Sequence, residues 1–201
     1  MRIEVLVFDG FDELDSLGPY EVFSQASRLV DGVTVELVTS TGQSEVTAAR
    51  GTRLAGLREW TPAGAGILLV PGGGYFDPGA GVREWIADGT LPKQLAEIAA
   101  GPGAKPVFAS VCTGGMLLSA AGLLDGRPAT TNKAAHSALA AEGALVVGAR
   151  VVDDGDIVTA GGITCGFDLA LHLVERFFGV EVALRVEDEL EYQRRGTVWH
   201  R

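Results

Sequence analysis

Short apolar runs, each closed by a turn signal and followed by a helix-like pattern, constrain the fold of this sequence most. Residues 3–8 are predominantly apolar and stop at Asp9-Gly10, and residues 67–70 stop at Pro71-Gly72-Gly73-Gly74. Such runs are typical of strands that are covered on both faces, as in parallel sheets. Their alternation with helical patterns predicts an α/β fold with a mostly parallel central sheet wrapped by helices.

The same reasoning predicts one domain over residues 1–201, because no repeat, low-complexity tract or linker interrupts the alternation. We expect the main strands at 3–8, 33–39, 67–70 and 106–111, short strands at 129–131, 145–147, 151–152 and 157–159, and short strands or a hairpin within 40–57. We expect helices near 14–26 and over 82–99, 116–124, 134–142, 164–178 and 182–192.

Composition excludes several classes of function. The formal net charge of −10 argues against nucleic-acid binding, which needs clustered basic residues. No segment approaches the roughly 18 apolar residues of a membrane span, and the opening apolar run is too short for a signal peptide. Two cysteines, Cys112 and Cys165, are too few for a disulfide framework and lack metal-ligand spacing. We therefore expect a cytoplasmic protein with no metal and no cofactor.

Cys112 stands where a strand is predicted to turn sharply into a helix. Residues 106–111 read as a buried strand, Gly114 and Gly115 follow the cysteine, and a helix-forming apolar stretch comes next. Most free cysteines are small buried hydrophobic residues. A strand–turn–helix corner instead exposes its central side chain at the carboxyl end of a sheet, as in nucleophile elbows, and the helix N-terminus favours the thiolate. We interpret Cys112 as a nucleophile.

Glycines after the neighbouring strand suggest a cradle for the reacting group. Gly72 and Gly73 lie at the carboxyl end of that strand, where parallel sheets bind ligands. Their N–H groups, together with those of Thr113 and Gly114, can form an oxyanion-hole-like nest beside the sulfur. An ordinary glycine turn explains the motif equally well when it is taken alone.

An acid or base partner for the thiol is not singled out by pattern. Asp12, Glu13, Asp15 and Glu21 all lie near the same sheet edge, and Asp12 is placed to cap the following helix. From spacing alone the choice among the four carboxylates stays open.

The histidines and the second cysteine offer little more. His172 reads as a satisfied core histidine, His200 lies near the end of the sequence, and His136 sits on a short alanine-rich helix from which it can reach the site. Cys165 reads as a packed thiol near a helix start. A cysteine–histidine pair is therefore possible but unsupported.

Several motifs together resemble the ThiJ/PfpI superfamily along nearly the whole chain. They are Leu14-Asp-Ser-Leu-Gly-Pro-Tyr-Glu-Val-Phe23, Val70-Pro-Gly-Gly-Gly74, Val111-Cys-Thr-Gly-Gly115, Ala121-Gly-Leu-Leu-Asp-Gly126, Ala129-Thr-Thr-Asn132 and Thr159-Ala-Gly-Gly-Ile-Thr-Cys-Gly-Phe-Asp-Leu-Ala-Leu-His-Leu-Val174. The resemblance implies a flavodoxin-like, class I glutamine amidotransferase-like three-layer sandwich. It also implies a homodimer that acts on a small molecule.

Within the superfamily, the first and third motifs look like the isocyanide (isonitrile) hydratase branch and the related sensor domains of AraC-type regulators. By this resemblance Cys112 is the nucleophile, Asp15 its carboxylate partner, and Thr113, Gly72 and Gly73 frame the site. The protease branch places a histidine directly after the nucleophile, so Thr113 argues against proteolysis. The expected reaction is hydration of an isocyanide to an N-formamide through a covalent thioimidate.

Two departures bear on this interpretation. Asn132 stands where many relatives have histidine, and it is expected to alter the substrate pocket. After Tyr192 the chain reads Gln-Arg-Arg, where relatives often have a proline-rich tail. Two alternatives remain: a ligand-binding sensor domain with an inert cysteine, which the acidic charge disfavours as a DNA-linked regulator, and the glyoxalase, deglycase or chaperone-like behaviour seen elsewhere in the superfamily.

Overall fold

A computed structural model describes residues 1–201 as a central eight-stranded sheet with helices on both faces. The strands are β1 Arg2–Leu6, β2 Thr34–Thr39, β3 Glu45–Thr47, β4 Arg53–Ala55, β5 Arg58–Glu59, β6 Ala65–Val70, β7 Val107–Ser110, β8 Pro128–Ala129, β9 Leu145–Val146, β10 Val151–Asp153, β11 Ile157–Ala160 and β12 Trp199–His200. The helices are α1 Glu13–Ser27, α2 Val82–Asp88, α3 Thr90–Ala100, α4 Gly114–Ala120, α5 His136–Ala141, α6 Cys165–Phe178 and α7 Val180–Glu189, with a 3-10 turn Lys133–Ala135 before α5.

The predicted α/β class with a mostly parallel sheet is confirmed. The strand order is β12-β10-β11-β7-β6-β1-β2-β5, and every neighbouring pair is parallel except β10 with β11. Because successive side chains of a strand point to opposite faces, each central strand contributes to two separate cores. Ile67 and Leu69 of β6 pack with α1, α6 and α7, whereas Leu68 and Val70 pack with α2, α3 and α4. The result is a three-layer sandwich.

The predicted hairpin within residues 40–57 is present as the antiparallel pair β3–β4. It is fastened to the loop between β1 and α1 by two backbone hydrogen bonds, from the N–H of Gly10 to the carbonyl of Thr47 and from the N–H of Ala49 to that of Phe11, each 2.8 Å long. The hairpin therefore covers the loop that leads into α1.

The single helix expected over residues 82–99 is wrong, since the structure divides it into α2 and α3 at Gly89. This glycine is in the left-handed region with φ of +76°, and its N–H donates to the carbonyl of Trp85. Only glycine adopts that conformation without steric cost, and such a residue ends a helix. The helix after Cys112 is also shorter than expected, because Gly122, with φ of +74°, prevents its extension.

The parallel order brings four loops to one edge of the sheet. The carboxyl ends of β1, β6, β7 and β11 lead into residues 7–12, 71–81, 111–113 and 161–164. Ligands of open α/β sheets bind at this edge. None of the helices is both long and apolar enough to cross a membrane.

Candidate active site

Cys112 lies at a sharp corner between β7 and α4, as the sequence predicts. Its φ is +55°, in the left-handed region that non-glycine residues occupy at a cost of order 1–3 kcal/mol. Its N–H donates to the carbonyl oxygens of Gly161 at 2.9 Å and Ala160 at 3.2 Å, and its own carbonyl accepts a 2.7 Å bond from the Thr131 hydroxyl. The neighbouring β11 loop and Thr131 thus hold the strained corner in place.

The corner has room only for glycine at two positions. A Cβ on Gly114 would lie 2.2 Å from the carbonyl oxygen of Val70. A Cβ on Gly72 would lie 2.6 Å from the backbone nitrogen of Thr113 and 2.8 Å from Oδ2 of Asp15. These glycines allow the loops after β6 and β7 to approach each other at the sulfur.

Of the four candidate carboxylates, the structure places Asp15 against the thiol. Asp12 caps α1 through a 3.1 Å bond from the N–H of Leu14 and pairs with Arg50. Glu13 accepts a 2.9 Å bond from the N–H of Arg50, and Glu21 bonds Gln25 on the exposed face. Asp15, in the first turn of α1, is fully buried beside Cys112.

Asp15 is only partly satisfied by hydrogen bonds. Its Oδ2 accepts a 3.0 Å bond from the N–H of Gly72, whereas its buried Oδ1 accepts none. A buried carboxyl oxygen without a donor is costly to charge. The Asp15 carboxyl, which interacts with the Cys112 thiol, is therefore suited to holding or releasing a proton there.

Burial governs the pKa values of Asp15 and Cys112. Desolvation, with the negative charge of Asp12 adding to it, raises the pKa of Asp15 to about 7. Desolvation and the charge of Asp15 raise the pKa of Cys112 to about 11. In the resting site, burial and the charge of Asp15 therefore outweigh the helix N-terminus, which the sequence predicts to favour the thiolate. The two groups interact and titrate as a pair.

Three N–H donors face the sulfur and partly offset this rise in its pKa. Asn132 donates from Nδ2 over 3.3 Å, and the orientation of its amide is defined because Oδ1 accepts a 3.0 Å bond from the N–H of Ala134. The backbone N–H groups of Ile163 and Thr113 also point at the sulfur. These donors are placed to stabilise negative charge on sulfur during a reaction.

Ile163 is a site residue that sequence reasoning missed. Its φ is +43°, and a β-branched residue in the left-handed region is a genuine outlier. The available signal was the pair Gly161-Gly162 directly after β11, the strand that neighbours β7 in the sheet.

The glycine cradle differs from the expectation. The N–H of Gly72 donates to Asp15, that of Gly73 donates to Thr113 Oγ1 over 3.1 Å, and that of Gly114 donates to the carbonyl of Val111 over 2.9 Å. These groups already have partners in the protein, so they are not a free oxyanion hole. The N–H groups of Gly72 and Gly73 orient Asp15 and Thr113 instead.

The histidines lie outside this arrangement. His172 is buried with Nε2 2.7 Å from Asp153 Oδ2, as expected of a satisfied core histidine. His136 places Nε2 3.1 Å from the carbonyl oxygen of Thr131 and lines a neighbouring cavity. No Cys112–histidine hydrogen bond is formed.

One side-chain cluster has the composition of a metal site. Possible ligand atoms of Asp153, His172 and His200 lie within 4.8 Å of one another. However, Nη1 of Arg176 lies 3.2 Å from each carboxylate oxygen of Asp153. The guanidinium already supplies the positive charge there, so the cluster fits a cation poorly.

Comparisons with known proteins give a consistent result. The model of the DJ-1/PfpI family matches residues 1–176. The isonitrile hydratase of Pseudomonas putida is 36% identical over 194 residues, which are 96% of this chain and 78% of that protein. The crystal structure of a ThiJ/PfpI family protein from Pseudomonas syringae superposes with a TM-score of 0.83 at 28% identity, covering 97% of this chain and 76% of that one.

A third similarity shows the shared fold alone. An AraC family transcriptional regulator from Pseudomonas putida superposes with a TM-score of 0.78 at 21% identity, covering 94% of this chain and 98% of that one. The same sandwich thus occurs in a protein whose name describes a regulator.

Proposed function

The chain belongs to the DJ-1/PfpI family, and from this premise we propose that it hydrates isocyanides to N-formamides with Cys112 as nucleophile. The observation that carries the proposal is the buried Asp15 carboxyl, half-satisfied and with a pKa of about 7, beside a thiol that has no histidine partner. Similarity to an isonitrile hydratase over nearly the whole chain supports the choice of reaction. We further propose that the protein works in the cytoplasm as a homodimer.

The first half of the reaction joins sulfur to carbon. The Asp15 carboxylate accepts the thiol proton as the Cys112 sulfur attacks the terminal carbon of the isocyanide. Protonated Asp15 then gives the proton to the same carbon, which leaves a covalent thioimidate, R–N=CH–S–Cys112. A carboxyl with a pKa near 7 is suited to both steps, because it can take up and release a proton at neutral pH.

The second half adds water and releases the enzyme. Asp15, again a carboxylate, takes a proton from the water that attacks the thioimidate carbon and passes that proton to the imine nitrogen. Collapse of the tetrahedral adduct breaks the carbon–sulfur bond, transfers the hydroxyl proton to Asp15 and gives the N-formamide. Donors from Asn132, Thr113 and Ile163 stabilise the departing thiolate, which then regains its proton from Asp15.

A second candidate function has one observation in its favour. With a pKa of about 11, the Cys112 thiol is almost entirely protonated at neutral pH, as expected of an inert thiol in a ligand-binding sensor domain. The two functions differ in turnover, because a sensor binds its ligand without consuming it.

Hydration of a simple aryl isocyanide tests the proposal. We expect the wild-type protein to form the aryl formamide, and Cys112→Ala to lose at least about 10³-fold in kcat/KM because the covalent step is lost. Cys165→Ala is the matched control and retains activity within a few-fold. Formamide is measured by liquid chromatography.

Equal rates for wild type and Cys112→Ala would contradict the role of Cys112. No formamide from the wild-type protein would favour the sensor function instead.

A further inference from the structure

A cavity of about 520 Å³ adjoins the nucleophile on the side of Asn132. Asn132, Gly161, Gly162 and Cys165 line it. Two of these residues also contact Cys112: Asn132 bonds its sulfur, and the carbonyl of Gly161 accepts its N–H. The amide of Asn132 donates to the Cys112 sulfur, and a Cβ on Gly162 would lie 3.1 Å from that amide nitrogen. A molecule that reacts at Cys112 therefore has this cavity within reach of its other end.

The charge of the cavity is opposite to that of the protein. The chain carries 26 acidic and 16 basic residues, yet Lys133, Arg150 and His136 line this cavity and no carboxylate does. A second cavity at the same sheet edge, of about 480 Å³ beside Gly74, is lined by Asp9 and Asp77 and by no basic residue. The side chains that line the two cavities thus carry opposite charges.

Lys133 is the uncompensated cation of this cavity. Among the lysines, Lys93 faces Glu97 at 3.9 Å and Lys105 donates to the carbonyl of Ala99, whereas Lys133 has no ion pair and no hydrogen bond. It follows Asn132 directly and is exposed at the cavity mouth. Its ammonium group is free to move onto a bound ligand.

Arg150 also lines this cavity, but its charge is already paired. Its Nε donates to Asp168 over 2.7 Å and its Nη2 reaches the same oxygen, so its charge is balanced. Its Nη1 makes no hydrogen bond and remains available as a donor. Arg150 can orient an acceptor group, but the net positive charge comes from Lys133.

We propose that the cavity binds an anionic group, a carboxylate, on the molecule that reacts with Cys112, and that Lys133 is its principal partner. If the protein is the hydratase proposed above, its substrate class follows: an isocyanide whose nitrogen substituent carries a carboxylate. This part of the inference rests on the proposed function. Asn132 separates the two ends of such a substrate, because it contacts the sulfur on one side and the cavity on the other.

The test compares isocyanoacetate with its methyl ester, which has the same reacting group and no charge. We expect kcat/KM to be about fivefold higher for the acid, the effect of one exposed charge pair, with the difference mainly in KM. The preference falls at raised ionic strength, because salt screens exposed charges.

Variants assign the preference to one residue. Lys133→Met brings the acid-to-ester ratio close to one, and Lys133→Arg restores most of it. Lys93→Met, which removes a lysine away from the cavity, keeps the wild-type ratio. If both substrates react and the ester is equal or better in the wild type, the anion subsite is wrong and the hydratase function stands.

Alkylation of Cys112 separates the subsite from the hydratase function. The rates with anionic iodoacetate and neutral iodoacetamide are measured by mass spectrometry of the Cys112 peptide, where the sulfur displaces iodide in both cases. We expect the iodoacetate-to-iodoacetamide ratio of the wild type to exceed that of Lys133→Met about fivefold. If neither isocyanide is hydrated, the hydratase proposal fails, and the iodoacetate-to-iodoacetamide ratio alone tests whether the cavity binds an anionic group. Equal ratios in the two proteins overturn the subsite.

Discussion

The chain contains two buried cysteine–aspartate pairs, and they differ in almost every respect other than composition. Cys112 with Asp15 and Cys165 with Asp168 are all nearly inaccessible, with the two thiols 6% and 5% exposed. Asp168 accepts hydrogen bonds from Arg150, from the Tyr192 hydroxyl and from the N–H of Arg195. Asp15 faces no cation directly and leaves one oxygen unbonded.

The backbone shows the same contrast. Cys165 begins α6 after Thr164, whose φ of −65° is ordinary helix, whereas Cys112 is held at φ of +55°. The Cys165–Asp168 pair therefore has a fully hydrogen-bonded carboxylate and ordinary backbone geometry before the helix, whereas the Cys112–Asp15 pair has an unbonded carboxyl oxygen and a strained backbone. Unsatisfied carboxyls and strained corners persist where the surrounding structure holds them in place, and such sites are most often functional. Burial of a thiol near an aspartate does not by itself mark an active site.

Replacing each aspartate by asparagine should give the largest difference in outcome between the two pairs, since one change affects activity and the other affects stability. We expect Asp15→Asn to lower kcat/KM for an aryl isocyanide about 10²- to 10⁴-fold, because an amide cannot accept or deliver the proton. Asp168→Asn instead lowers the free energy of unfolding by about 2 kcal/mol, since it removes the partner of the half-buried Arg150. Rates are measured by formamide production and stability by urea denaturation.

Asp15→Asn must remain folded for this comparison, and its circular dichroism should match that of the wild type. Wild-type turnover by Asp15→Asn would show that Asp15 has no acid–base role. A loss of stability no smaller than that of Asp168→Asn would make Asp15 a structural residue like its counterpart.

The pH dependence of stability sharpens the contrast. Folding raises the pKa of Asp15 from 3.8 to about 7, so the folded protein binds this proton more tightly than the unfolded chain does. Stability from this group is complete below about pH 4 and is lost as pH rises towards 7, by roughly 4 kcal/mol at most. We expect Asp15→Asn to be more stable than wild type by about 2 kcal/mol near pH 8, with no advantage near pH 4.

Thermal melts of both proteins at the two pH values measure this difference. A second readout is the thiolate absorbance of Cys112 in a Cys165→Ala background. Removing the charge of Asp15 should lower the pKa of Cys112 from about 11. An unchanged thiol pKa together with an equal stability at both pH values would mean that the two groups do not interact.

Much of the fold follows from local sequence patterns. Apolar runs locate the central strands, and Gly114 after Cys112 indicates a sharp corner, because these features act within a few residues. The division of the 82–99 segment was missed although Gly89 is visible in the sequence, since a glycine inside a helical pattern does not always end the helix. The conformation of such a residue is decided by packing.

The site was less accessible to sequence reasoning for a physical reason. Pattern left Asp15 among four carboxylates, and only the fold shows that Asp12 and Glu13 are engaged by the hairpin residue Arg50. The glycine amides of the expected cradle proved to have partners in Asp15 and Thr113. Hydrogen-bond partners across different loops depend on three-dimensional placement, which the order of residues along the chain does not give. The amide of Ile163 was missed for the same reason.

The smallest expected effect concerns Asn132, the side-chain donor that the Cys112 sulfur has and the Cys165 sulfur lacks. In the wild type, Oδ1 of Asn132 caps the following 3-10 turn by accepting a hydrogen bond from the N–H of Ala134. Serine is also a good capping residue, so Asn132→Ser keeps the cap and removes the amide that faces the sulfur. Loss of one hydrogen bond to a developing thiolate should lower kcat about tenfold and raise the pKa of Cys112. Stability should change little, because the cap is retained. The kcat and the thiolate titration of Asn132→Ser measure this contribution. If both kcat and the pKa of Cys112 are unchanged, the backbone N–H groups of Thr113 and Ile163 are enough to stabilise the thiolate. The Cys112 sulfur would then differ from that of Cys165 because of its strained corner and Asp15, and not because of Asn132.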